Sequence, residues 1–264
     1  MTDRVAVEIV EHVAHVQLNR PDKRNGVDLP MFDALVLAGT RLARERSVRA
    51  VVLSGAGASF CAGLDFVSFM ASPDASRRLL DRGADSPANL AQRACWIWRE
   101  LPVPVIAAIR GAAFGAGCQL ALACDLRLVA PDAKLSVMEI RYGLVPDMTA
   151  TKTLLRLVRD DVARELVYTG RIVEADEAVA IGLATRRCDD PIADALALAK
   201  TIAAQSPTAI RAAKALCNEG PELDIAAAFH RETDLQLGLL GTPAQLEAVQ
   251  ATLSKRPPVF DDPQ

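Results

Sequence analysis

Aromatic side chains are scarce in this chain: 7 Phe, 2 Tyr and 2 Trp among 264 residues. Histidine is scarcer, and all three, His12, His15 and His230, lie far in sequence from the glycine-rich segments described below. A Ser-His-Asp triad is therefore not expected, and there is no G-x-S-x-G nucleophile elbow. The six cysteines, Cys61, Cys95, Cys118, Cys124, Cys188 and Cys217, form no C-x-x-C pair, and none has a histidine at ligand spacing. The expectation is buried free thiols and no metal. Neither charge dominates: 30 Lys and Arg face 33 Asp and Glu, for a net charge of -3. Without a basic stripe, nucleic acid is not an expected partner. No run reaches the roughly 18 apolar residues of a membrane span, so no membrane partner is expected either. The opening Met1-Thr2-Asp3-Arg4-Val5-Ala6-Val7-Glu8 has no apolar signal region, and the expected compartment is the cytoplasm. Gly55-x-Gly57 and Gly115-x-Gly117 lack the third glycine of a dinucleotide fingerprint; Phe60 and Leu120 stand there.

Hydrophobic residues make up 51 % and charged residues 24 %, enough apolar side chain for a sizeable core. Apolar runs at 5–10 and 13–18 predict a hairpin across Glu11 and His12. A turn-rich loop follows at 19–26, then a helix over 30–46 with Asp28 as its N-cap. Strands are expected at 48–53, 103–109, 126–129 and 135–137, with helices at 89–100, 117–123 and 147–158. The polar stretch 70–87 reads as a mobile loop carrying a short helix. This alternation is the α/β class. From about residue 161 helical patterns follow one another, and an extended tail ends the chain. The expected division is a core over 1–195 and a helical oligomerisation region over 196–264.

Three segments carry the chemistry. Ser59-Phe60-Cys61-Ala62-Gly63-Leu64-Asp65 is a glycine-bearing turn after a strand, where backbone can approach a ligand closely. Gly111 to Gln119 follows the next apolar strand and opens a helix, whose first N–H groups lack intrahelical partners and suit an anionic oxygen. Met138 to Asp147 carries two carboxylates, Glu139 and Asp147. Each also has a structural reading: an ordinary loop, close helix packing through small residues, a buried acid at Glu139 and an N-cap at Asp147. Trp96 and Trp98 face different sides of their helix, one for the core and one for a pocket. Taken together, backbone donors beside a carboxylate suggest proton transfer next to a thioester carbonyl.

In this order, from Asn19-Arg20-Pro21 through Phe60 to Asp65, the Gly115-Ala116-Gly117-Cys118 helix start, Cys124-Asp125, the Glu139 segment and Lys255-Arg256-Pro257, the motifs resemble the crotonase (enoyl-CoA hydratase/isomerase) family. The resemblance spans nearly the whole chain. It implies a crotonase-like spiral of ββα units with a C-terminal helical trimerisation region, assembled as a homotrimer or hexamer. It implies an acyl-CoA substrate, with coenzyme A as part of that substrate and no separate cofactor. Thioester oxygen would accept from the N–H groups of Leu64 and Ala116. CoA would lie against Lys23, Arg24, Gly26, Ala62, Gly63 and Asp65, with Lys255 and Phe260 closing over it from the same or a neighbouring subunit. Phe66, Trp96 and Phe114 are expected in the acyl pocket.

One position departs from the pattern. Family hydratases have a glutamate where this chain has Gln119, and it works with a second glutamate matching Glu139. Gln119 can orient a water but neither takes nor gives a proton at neutral pH. The expected catalytic set is Glu139, Asp147 and Gln119, with double-bond isomerisation favoured and Glu139 moving the proton. The spacing of Asp147 after Glu139 is similar to that of the dienoyl-CoA isomerase branch. Hydration by Glu139 alone and a non-catalytic acyl-CoA binder are the alternatives.

Overall fold

A strand that is apolar along its whole length needs cover on both faces. Ala50–Gly55 and Val105–Ile109 are two such strands, every residue buried, and the chain winds around them. The computed structural model describes residues 4–72, 74–83 and 86–263. Met1 to Asp3 of the N-terminal reading and positions 73, 84 and 85 of the 70–87 stretch lie outside the described residues. The elements follow as β1 (Val5–Val10), β2 (Val13–Leu18), α1 (Leu29–Arg44), β3 (Ala50–Gly55), α2 (Phe66–Met70), α3 (Ala75–Leu80) and α4 (Leu90–Glu100). Then come β4 (Val105–Ile109), β5 (Ala112–Phe114), α5 (Ala116–Leu122), β6 (Leu126–Val129), β7 (Lys134–Ser136), α6 (Ala150–Leu157) and α7 (Asp160–Thr169). The chain closes with β8 (Val173–Glu174), α8 (Ala175–Ala180), β9 (Arg186–Arg187), α9 (Pro191–Ala203), α10 (Pro207–Glu219), α11 (Ile225–Leu239) and α12 (Pro243–Leu253).

The larger sheet has the order β1-β2-β3-β4-β6-β9. Only its β1/β2 hairpin is antiparallel; the other pairs are parallel. The smaller sheet has the order β5-β7-β8. Its ladder is extended by single parallel bridges, Cys61 to Ala113 and Val27 to Leu64. Each turn of the chain thus lays one strand in the first sheet and a shorter extended piece in the second. This is the spiral that the sequence motifs imply, and the turns after β3 and β4 pass from one sheet to the other at the glycine-bearing segments.

Side-chain alternation sorts the two faces of the larger sheet. Val51, Leu53, Val105, Ala107 and Ile109 join the main core with α1 and α4. Val52, Ile106, Ala108 and Leu128 face Ala195, Ala199 and Ala203 of α9. Residues 195 and 196 both belong to α9, so the sheet's cover runs without a break through that point. Beyond it α10 is held by Lys214, buried, whose ammonium donates to Asp125 Oδ2 at 2.7 Å and to Val103 O at 2.9 Å. α11 has no buried residue and α12 only Ala251.

Three local expectations change. Residues 112–114 form a strand, not part of a turn, because Cys61 and Lys134 supply partners on either side. The helix expected from 147 starts at Ala150, capped by Thr149 at φ 77°, so Asp147 is not its N-cap. The short helix expected in the 70–87 stretch is present as α3. The tail folds back on its own chain: the Arg49 guanidinium donates to Phe260 O at 2.8 Å and to Asp262 at 3.0 Å. Among the described residues no helix is long and apolar enough to cross a membrane.

Candidate active site

The two glycine turns are stitched together by the smaller sheet. Cys61 N–H donates to Ala112 O at 2.9 Å, Phe114 N–H to Cys61 O at 3.0 Å, and Gly115 N–H to Ser136 O at 2.8 Å. This register brings Leu64 and Ala116 to one cavity of about 590 Å³. Gly63 adopts φ +96°, and a Cβ there would lie 2.9 Å from Phe114 O, so only glycine permits this approach. Ala116 is the first residue of α5. Neither the Leu64 nor the Ala116 N–H has an acceptor among the described residues. Two unpartnered backbone donors on one cavity wall, one of them at a helix start, suit a developing negative oxygen.

Glu139 and Asp147 line the same cavity. Glu139 lies in a short 3-10 turn, Glu139–Tyr142, that follows β7. Its Oε1 accepts from Gln119 Nε2 at 2.7 Å, while Oε2 is buried with no partner in the protein. Burial raises the Glu139 pKa above its ordinary value, and the nearby Asp147 charge raises it further. Asp147, the more exposed of the two, is also raised by burial. The remaining wall is largely apolar: Phe32, Phe66, Phe69, Leu79, Val145 and Met148 contribute. Tyr142 stacks on Phe66 with centroids 4.6 Å apart.

Of the residues expected at the site, Ala62, Gly63, Leu64, Phe66, Ala116, Glu139 and Asp147 meet at the cavity. Gln119 is fully buried behind it, not in its lining. From there its Nε2 reaches Glu139 Oε1. Trp96 is outside: it lines a separate groove with Arg99, Lys152 and Glu222, while Trp98 is wholly in the core. Phe114 contributes backbone to the turn but does not line the cavity. Lys255 and Phe260 lie away from it, because Arg49 holds the tail on the β2/β3 side of the fold.

Lys23 and Arg24 are exposed on a loop bonded to the cavity rim, where Ala62 N–H donates to Arg24 O at 2.9 Å. Gly26 is buried in the same loop, its added Cβ 3.7 Å from Gly63 O. The Asp65 carboxylate is already occupied. It accepts from Ser68 and pairs with Arg20 at 2.8 Å, and these hold its pKa down at about 2. Sequence reasoning missed Arg20 and Asn25 as the residues that shape this rim. Arg20 also donates to Gly26 O, and buried Asn25 donates to Ala56 O and Ser59 O. The turn-rich 19–26 stretch was the available signal. It missed Tyr142, Val145 and Met148 as cavity wall, although all but Met148 fall inside the Glu139 segment. Cys61 and Cys118 are buried, and burial pushes both thiols up to about 12, so neither is a reactive thiolate. Cys217, by contrast, is exposed.

Comparison with known proteins agrees with this architecture. The family model described as enoyl-CoA hydratase/isomerase matches residues 8–263. The chain is 33 % identical to the human mitochondrial Delta(3,5)-Delta(2,4)-dienoyl-CoA isomerase, over 93 % of this chain and 77 % of that one. It is 32 % identical to the crotonyl-CoA hydratase of Syntrophomonas wolfei, over 96 % of each. The crystal structure of an enoyl-CoA hydratase from Bacillus anthracis superposes with a TM-score of 0.90 at 32 % identity, covering 97 % of this chain and 98 % of that one. With the crotonase spiral, the paired backbone donors and a family match along almost its full length, the chain belongs to the enoyl-CoA hydratase/isomerase family.

Proposed function

We propose that this protein relocates a carbon–carbon double bond in an acyl-CoA thioester, with Glu139 carrying the proton. The observation that supports this most is the state of Gln119. Both ends of its amide are engaged, the nitrogen donating to Glu139 and the oxygen accepting from the Met148 N–H at 2.8 Å. Glu139 therefore has no carboxylate at position 119 to share the activation and placement of a water. Isomerisation needs only one base. Glu139 removes an α- or γ-proton, electron density flows into the thioester, and the carbonyl oxygen accepts from the Leu64 and Ala116 N–H groups as it becomes an enolate oxygen. The same carboxyl then returns the proton to the other carbon, and the double bond has moved. A raised carboxyl pKa suits both halves of that cycle near neutral pH. In this reading Asp147 relays or orients at the same cavity, and the exposed Lys23 and Arg24, on the loop bonded to Ala62, meet the CoA phosphates.

The test is a panel of 2-enoyl-, 3-enoyl- and dienoyl-CoA esters incubated in D₂O and read by mass spectrometry. Enzyme-dependent deuterium uptake with a relocated double bond and no added water is the expected result. Glu139→Gln should lower that rate by roughly 10²–10⁴-fold, the usual contribution of a positioned proton-transfer group. Net addition of water to the 2-enoyl esters would replace this reading with hydration by Glu139 alone. Tight binding of every ester without turnover would replace it with an acyl-CoA binder.

A further inference from the structure

Gln119 has a more specific consequence than the absence of a second acid. Its side chain is wholly buried at 0 % exposure. Its Oε1 faces the Met148 N–H, which can only donate, so the oxygen end of the amide is assigned by chemistry and the NH₂ end must face Glu139. That NH₂ can in turn only donate. Glu139 Oε1 is therefore an acceptor whether the carboxyl is ionised or neutral. The carbonyl oxygen of a neutral carboxyl is its better acceptor, so a proton carried by Glu139 is favoured on Oε2, the atom with no partner in the protein. The other end of the amide holds the backbone immediately after Asp147.

We infer that Gln119 is a positioning residue that confines the mobile proton of Glu139 to Oε2 and ties that carboxyl to the Asp147–Met148 backbone. The inference rests on Glu139 being the base of the proposed reaction. A glutamate at this position would change the chemistry, because carboxyl oxygens facing each other at this separation share a proton and titrate as a pair. Glutamine keeps the ionisation of Glu139 separate and its reacting oxygen single.

The test begins with the wild-type chain and Glu139→Gln, whose new amide can present its own oxygen to Gln119. Side-chain amide signals are followed by ¹⁵N NMR across the acid-to-neutral range. One Gln NH₂ pair should track the Glu139 titration in the wild type and become pH-independent in E139Q. Finding no such pair overturns the inference, and this measurement does not require a variant at 119 to fold. In Gln119→Met, ¹³C-carboxyl NMR should show Glu139 titrating at higher pH than in the wild type, because a donor that favours the carboxylate is gone. Its kcat for proton exchange should fall at least tenfold with KM within about twofold. An unchanged Glu139 titration with unchanged kcat overturns the inference as well. A wild-type protein that exchanges no ester proton, while its amide still tracks Glu139, would overturn the isomerase reading and still support the Gln119 contact.

Discussion

Gly115 and Glu139 are close neighbours in the cavity wall. Gly115 adopts φ +49°, ψ -117°, and a Cβ there would stand 3.2 Å from Glu139 Oε1. Gly115→Ala should cost about 1–3 kcal/mol from backbone strain. It should also displace the carboxyl, so turnover should fall even in the fraction that remains folded. Thermal melts alongside kcat separate the two; unchanged kcat per folded molecule would mean that the carboxyl tolerates the methyl. Glu139 itself makes a prediction of opposite sign for stability. Its pKa is raised in the fold, so the folded state binds its proton more tightly than the unfolded chain does. That contribution is full below its ordinary value of 4.5 and is lost as pH rises through the higher folded value. Near pH 7 the buried charge therefore weakens the fold. Glu139→Gln should melt higher than wild type near pH 7, with the gap closing as the pH falls below 4.5. Equal melting temperatures near pH 7 would remove burial as the cause of the shift. Glu139 and Asp147 were legible as residues, because carboxylates after glycine turns are few. The role of Gln119 was not: a sequence cannot show that Met148 consumes the amide oxygen.

At the level of elements, a buried ion pair ties α10 to the segment that enters the sheet at β6. Lys214 on α10 is almost fully enclosed, whereas Asp125, between α5 and β6, keeps a side open to water. Burial lowers the Lys214 pKa, and Asp125 works against that shift. Removing the aspartate leaves a buried ammonium without its counter-charge, which costs about 3–5 kcal/mol in such sites. Lys214→Met removes charge and leaves Asp125 bonded to Val105 N–H at 2.7 Å, so it should cost less. Urea denaturation of Asp125→Ala and Lys214→Met checks the order; a smaller loss for Asp125→Ala would show that the lysine relaxes to solvent. The apolar strands and periodic helices were readable, since β3, β4 and α4 follow directly from burial on the expected faces. β5 was not, because three residues carry too little pattern. Its pairing with β7 and the bridge to Cys61 is a long-range event. The start of α6 was misplaced for a related reason. Thr149 takes a left-handed φ of 77° that no local rule favours for threonine, and this turns Asp147 toward the cavity.

The whole molecule leaves an apolar surface that its own chain does not cover. Ile225, Phe229 and Leu237 of α11 are 75 %, 63 % and 64 % exposed, and Leu253 of α12 is 80 % exposed. Neither helix buries more than one residue against the rest of the fold. Large apolar side chains exposed on two barely buried helices point to an interface, and closed symmetric assembly is the common solution. Self-association is therefore expected by light scattering at micromolar concentration, as the homotrimer or hexamer that the family resemblance implies, and Phe229→Asp combined with Leu253→Asp should yield monomers. A wild-type chain that is monomeric throughout would sink the assembly. Assembly also bears on the cavity, because Met70, Tyr142 and Val145 at its walls are 86 %, 56 % and 69 % exposed. Lys255, expected over CoA, does not reach the cavity of its own chain. If a neighbour supplies that cover, the monomeric double variant should bind CoA esters more weakly while free Glu139 titrates as before. Calorimetric titration of a non-reactive acyl-CoA into both forms decides it: equal affinity would mean that the cavity and the Lys23–Arg24 rim of one chain suffice.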